Sequence, residues 1–168
     1  TGVEPGGLGI DIPNVPEEAL APLKEWDPER YQSLSHPGDQ YSYDIFSQAA
    51  RTVLEPGDDA PLGGLPVERV IAVGESQSAT RLATYINGIQ PVTGMFDGFM
   101  VHGRGSGASG LNDGEGQTPP GGLQIRSDAG VPVLQFESET DLEFLQFVKA
   151  RQDDHEYLVT WEAAGAAH

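Results

Sequence analysis

Apolar positions along the chain fall into short runs whose period changes from segment to segment. Ile45, Ala49 and Val53 recur every four residues, with Phe46, Ala50 and Leu54 beside them, which predicts a helix over Asp44–Leu54 with one apolar face. Glu55-Pro56-Gly57 ends it. Beyond Gly63-Gly64, Val67–Val73 is β-branched and apolar towards its end and reads as a buried strand. Gly74–Ser76 reads as a tight turn. Ser78–Ile86 reads as a helix with Leu82, Ala83 and Ile86 on one side, closed by Asn87-Gly88. Phe96–His102 is a second strand. A long loop follows from Gly103 to Gly130, rich in glycine and polar residues. Val131–Glu137 is a third strand, Leu142–Ala150 a helix with Phe144, Leu145 and Val148 facing inward, and Tyr157–Glu162 a fourth strand.

Residues 1–40 read as irregular, because Pro13, Pro16, Pro22, Pro28 and Pro37 recur too often for a long helix or a central strand. A short turn is expected around Glu17–Leu20. From residue 44 the order is helix, strand, helix, strand, loop, strand, helix, strand. That alternation predicts an α/β fold, a mostly parallel sheet with covering helices, in a single domain spanning 1–168.

Composition narrows the chemistry. With 26 acidic against nine basic residues the formal charge is −17, which repels phosphate backbones and argues against nucleic-acid binding. There is no cysteine, which excludes disulfides, thiolate metal sites and a thiol nucleophile. No run approaches the ~18 apolar residues of a membrane span. The first residue is Thr1 rather than methionine, so a leader is not readable and localisation stays open. Asn112-Asp113-Gly114-Glu115 lacks the spacing of a calcium loop, and Gly103-Arg104-Gly105-Ser106-Gly107 lacks the Lys-Ser/Thr ending of a phosphate loop. No metal or cofactor is expected.

Gly74-Glu75-Ser76-Gln77-Ser78-Ala79 carries the candidate chemistry. A serine on a sharp strand-to-helix turn has its hydroxyl lifted clear of the sheet, and small neighbours let strand and helix approach. Gly74 supplies one of them; Ser78 stands where glycine is usual. Ser76 read as a plain helix N-cap is the structural alternative. The strand 131–137 ends in a polar turn with two acids, of which Asp141 is the expected partner of a histidine and Glu139 the alternative. Asp141 also suits a helix N-cap. The last strand leads into Ala163-Ala164-Gly165-Ala166-Ala167-His168, small residues that let His168 reach back over the sheet. Serine, acid and histidine following successive strands in that order match the order of an α/β-hydrolase. His36, in a proline-glycine turn, and His155, in an acidic stretch, are expected at the surface. His102 follows a strand, where lining the cleft is the alternative, and is expected to pack or sit in a loop.

On Asp27-Pro28-Glu29-Arg30-Tyr31, Tyr43-Asp44-Ile45-Phe46-Ser47-Gln48, the Gly-Glu-Ser-Gln-Ser-Ala segment, Phe96-Asp97-Gly98-Phe99 and the closing Trp161-to-His168 segment, the chain resembles a bacterial family of α/β-hydrolase-domain proteins without a defined substrate. The resemblance implies Ser76 as nucleophile, Asp141 as acid, His168 as base and the backbone N–H of Gln77 as one oxyanion donor. Such proteins are longer and begin with further strands, the usual source of a second donor, so this sequence is expected to be the C-terminal part of an α/β-hydrolase fold. The function expected is hydrolysis of a small-molecule ester through an acyl-enzyme. A non-catalytic binding domain of the same fold is the alternative, and an acidic calcium-binding module a third reading. Loop 103–130 is expected to help shape the pocket.

Overall fold

A computed structural model describes residues 21–55, 57, 60–112 and 121–168. The chain divides into two compact units, Thr1–Asp39 and Gln40–His168. The turn expected at Glu17–Leu20 and most of the acidic stretch at 112–115 lie outside the described residues.

In the first unit, the segment expected to be irregular contains two single-turn helices, α1 (Leu23–Trp26) and α2 (Pro28–Tyr31). Prolines that would break a long helix start these short ones. Pro28 occupies the first helical position, where no N–H is needed, and the Asp27 side chain accepts the Arg30 N–H at 3.1 Å.

The second unit holds α3 (Ser42–Leu54), β1 (Ile71–Glu75), α4 (Gln77–Gly88), α5 (Gln90–Thr93), β2 (Gly98–His102), β3 (Val133–Ser138), α6 (Glu139–Glu143) and β4 (Leu158–Ala163). The four strands form one parallel sheet in the order β1-β2-β3-β4. Parallel neighbours need crossovers, and α4 provides the first of them. Its Ala79, Leu82, Ala83 and Ile86 pack on Ala72 of β1, Phe99 and Val101 of β2, and with Val133 and Leu158 these form the core. The other face of the sheet carries Ile71, Val73, Val159 and Trp161, all exposed. Among the described residues no helix is long and apolar enough to cross a membrane.

Three expectations need correction. The first strand is shorter than Val67–Val73 and alternates instead of being buried throughout. Pairing starts at Ile71, opposite Gly98. The Val70 backbone ahead of it is clamped by Asp97, whose carboxylate accepts the Val70 N–H at 2.8 Å and whose own N–H donates to the Val70 carbonyl at 2.9 Å. Helix α3 is rotated from its expected face: Tyr43 and Ala50 are buried, whereas Ile45 is exposed. The Ser47 hydroxyl meets the Tyr85 hydroxyl at 2.7 Å and Phe46 stacks on Phe96 at 5.0 Å, so polar and aromatic anchors outweigh the aliphatic stripe. The helix expected over Leu142–Ala150 begins at Glu139 and ends at Glu143. Gln146 is left-handed, with φ 58°, and a 3-10 turn follows at Phe147–Lys149. Phe147 is fully buried there, while Phe144 and Val148 face solvent.

Candidate active site

The site is built where three parallel strands end. At the end of β1 the chain turns through Ser76, which adopts φ 55° and ψ −120°, a conformation that non-glycine residues enter only under constraint. The constraint is the close approach of strand and helix: a Cβ on Gly74 would lie 2.8 Å from the carbonyl oxygen of Ser78. The Ser76 N–H donates to the His102 carbonyl at 2.9 Å, tying the turn to the end of β2. Ser76 holds the N-cap position of α4 but makes no side-chain cap bond. Its hydroxyl lies instead 3.1 Å from His168 Nε2.

Asp141 arrives through a capping box. Ser138, the last residue of β3, caps α6: its hydroxyl accepts the Asp141 N–H at 3.3 Å, and Asp141 Oδ2 accepts the Ser138 N–H at 2.6 Å. Asp141 is thus the third residue of the helix rather than its N-cap, and the back-bond leaves Oδ1 free to meet His168 Nδ1 at 2.7 Å. Burial pushes the fully buried carboxyl up. The bonds from the Ser138 backbone and hydroxyl and from His168 outweigh that, leaving it below its ordinary value. A carboxylate at Nδ1 selects the tautomer with the proton there and turns the Nε2 lone pair towards the Ser76 hydroxyl.

Glu139 is placed elsewhere. Its Oε2 accepts the Gly165 N–H at 2.7 Å, pinning the small-residue loop that carries His168. Gln77 opens α4, so its N–H belongs to the first helical turn, where amides have no acceptor within the helix. His102 packs edge-on against Phe136, with ring centres 5.2 Å apart. His155 and His36 are half-buried, not exposed: their Nδ1 atoms accept the Tyr157 and Gly38 N–H groups. Among the described residues no group of three or more possible ligands could hold a metal ion.

An alpha/beta hydrolase domain model matches residues 3–168, almost the whole chain. The chain belongs to this alpha/beta hydrolase family. Searches among curated proteins and among solved structures find no match.

Two further features of this alpha/beta hydrolase domain stand beside the three side chains, and neither has a role that sequence alone assigns. Gly103 follows β2 with φ 59°, and a Cβ there would sit 3.0 Å from His168 Cε1 and Nδ1 and 3.5 Å from Asp141 Oδ2. Next to it Arg104 is fully buried, as are Gln135 and Glu137 of β3. Alternation along β3 could have flagged those two, since they share the inward side with Val133.

Proposed function

We propose that this domain is a serine hydrolase that cleaves a small-molecule carboxylic ester through an acyl-enzyme. The observation that carries the reading is the unbroken contact from Asp141 Oδ1 to His168 Nδ1 at 2.7 Å and from His168 Nε2 to Ser76 Oγ at 3.1 Å. In this mechanism Ser76 Oγ attacks the ester carbonyl while His168 Nε2 takes its proton. Asp141 orients the ring and stabilises the imidazolium, as its depressed pKa favours. The Gln77 N–H donates to the oxyanion of the tetrahedral intermediate. Collapse breaks the C–O bond, and His168 returns the proton to the departing alkoxide. Water, deprotonated by His168, then attacks the acyl-enzyme and releases the acid and free Ser76.

The test is labelling with a serine-directed phosphonate, located by mass spectrometry, together with turnover of a p-nitrophenyl ester. Labelling at Ser76 is expected, and Ser76→Ala should abolish it and cut turnover by several orders of magnitude. Ester turnover by Ser76→Ala within tenfold of the parent refutes the nucleophile. Absence of both label and turnover in the parent favours a binding domain of the same fold.

A further inference from the structure

Two ionisable side chains, Arg104 after β2 and Glu137 in β3, are not used by the proposed chemistry. Arg104 is fully buried. Its Nε donates to Gln135 Oε1 at 2.7 Å, and Gln135 Nε2 donates to Thr160 Oγ1 at 3.1 Å, so one guanidinium is tied across β3 to β4. Its Nη1 donates to the Gly105 carbonyl at 3.3 Å and its plane lies over the Phe147 ring at 5.0 Å. These bonds fix the turn whose first residue, Gly103, backs the His168 ring. Glu137 is also fully buried and precedes Ser138, the N-cap of α6. Neither carboxyl oxygen of Glu137, nor Arg104 Nη2, has a hydrogen-bond partner of ordinary geometry among the described residues, although the Arg104 backbone N–H is close enough to Glu137 to oppose the rise of its carboxyl. Buried ionisable groups left in that condition are costly, so their retention calls for a reason.

We propose that Arg104 and Glu137 are positioning residues for the Asp141–His168 pair, Arg104 by holding the turn behind the imidazole and Glu137 by placing a buried carboxyl at the end of β3, within electrostatic reach of Asp141. The inference rests on the site reading above. Three charged groups face Glu137: Arg104 from the turn after β2, Asp141 from α6 and Glu162 from β4, the last itself paired with Arg151 at 2.9 Å. Burial pushes the Glu137 carboxyl up to about 8; the Arg104 charge opposes the rise, and Asp141 and Glu162 add to it. A carboxyl raised in this way is mostly protonated at pH 7, which leaves Asp141 as the charge that the imidazole meets. Above pH 8 a second negative charge appears next to Asp141, and the field at His168 changes.

The His168 ring is the reporter, read by NMR in the full chain with its signals assigned by their loss in His168→Gln. In the parent, these signals should carry a separate inflection near pH 8 from Glu137. Glu137→Gln, a neutral isostere, should abolish that inflection. Arg104→Met should move it to higher pH, because the cation that holds the carboxyl down is gone. The kcat/KM profile of the parent should show a step at the same pH that Glu137→Gln lacks, which a merely structural residue would not produce. A parent pH series in which the His168 signals lack the inflection overturns the proposal even if a variant fails to fold, as does an inflection that persists in Glu137→Gln. The titration needs no turnover, so a failure of phosphonate labelling at Ser76 would overturn the hydrolase reading and leave this result legible.

Discussion

Replacing Gly103 by alanine puts a single methyl group against the imidazole. The new Cβ would lie 3.0 Å from His168 Cε1 and Nδ1. Non-bonded heavy atoms rest at ~3.5–4.0 Å, so something must move by at least ~0.5 Å. His168 yields before the backbone does, because its side chain is 36% exposed while Asp141 behind it is 0% exposed. The ring then departs from both contacts, 2.7 Å to Asp141 and 3.1 Å to Ser76. Since ~1 Å of misplacement costs about 10²-fold, a loss of tenfold to a hundredfold in kcat/KM is expected. Alanine at φ 59° also strains the backbone by roughly 1–2 kcal/mol, which would lower Tm by several degrees. Gly130 provides the control, with φ 73° and nothing within 4 Å of its Cβ position. Gly130→Ala carries the same backbone strain without the collision. Ester kinetics and melting curves of both variants separate the effects. If Gly103→Ala hydrolyses the ester as fast as Gly130→Ala, the His168 placement described here is wrong.

Further outcomes follow from the same geometry. Asp141→Asn should cost on the order of 10⁴ in kcat, by losing the tautomer that points Nε2 at Ser76. Glu139→Gln, whose amide oxygen still accepts the Gly165 N–H, should cost tenfold or less; kinetics with the reverse ranking would exchange the two roles. A carboxyl raised from 4.5 to about 8 on folding destabilises the parent progressively as pH rises through that window, by an order of a few kcal/mol. Glu137→Gln lacks that loss, so its Tm should gain on the parent between pH 5 and 8; parallel curves would mean the carboxyl ionises normally. Finally, among the described residues β1 is an edge strand bearing Ile71 and Val73, 53% and 62% exposed, while the charge of −17 opposes pairing between copies. Salt screens that repulsion, so sedimentation should detect association in high salt that Val73→Lys suppresses, and a monomer at every salt concentration would remove the edge from consideration.

Residue type and spacing alone were enough to locate each of the four described strands to within a few residues, and to show their alternation with helices, because those features are local. A β-branched run, a glycine next to a serine, and a small-residue loop ending in histidine each constrain the chain within a few positions. The order serine, acid, histidine came with them. Asp141 was preferred to Glu139 from sequence, but the two stand two residues apart in one turn and type and spacing do not separate them. The Ser138 capping box separates their positions, bringing Asp141 to His168 and leaving Glu139 on the Gly165 N–H. The rotation of α3 depended on Tyr85 and Phe96, some 40 and 50 residues away. Gly103 gave no sign among 22 glycines, for its importance lies in an imidazole 65 positions later. Arg104 and Glu137 read as two more charges in a strongly charged chain. Only tertiary packing withdraws both from water beside Asp141, and it is desolvation, a property of the assembled core, that gives them their chemistry.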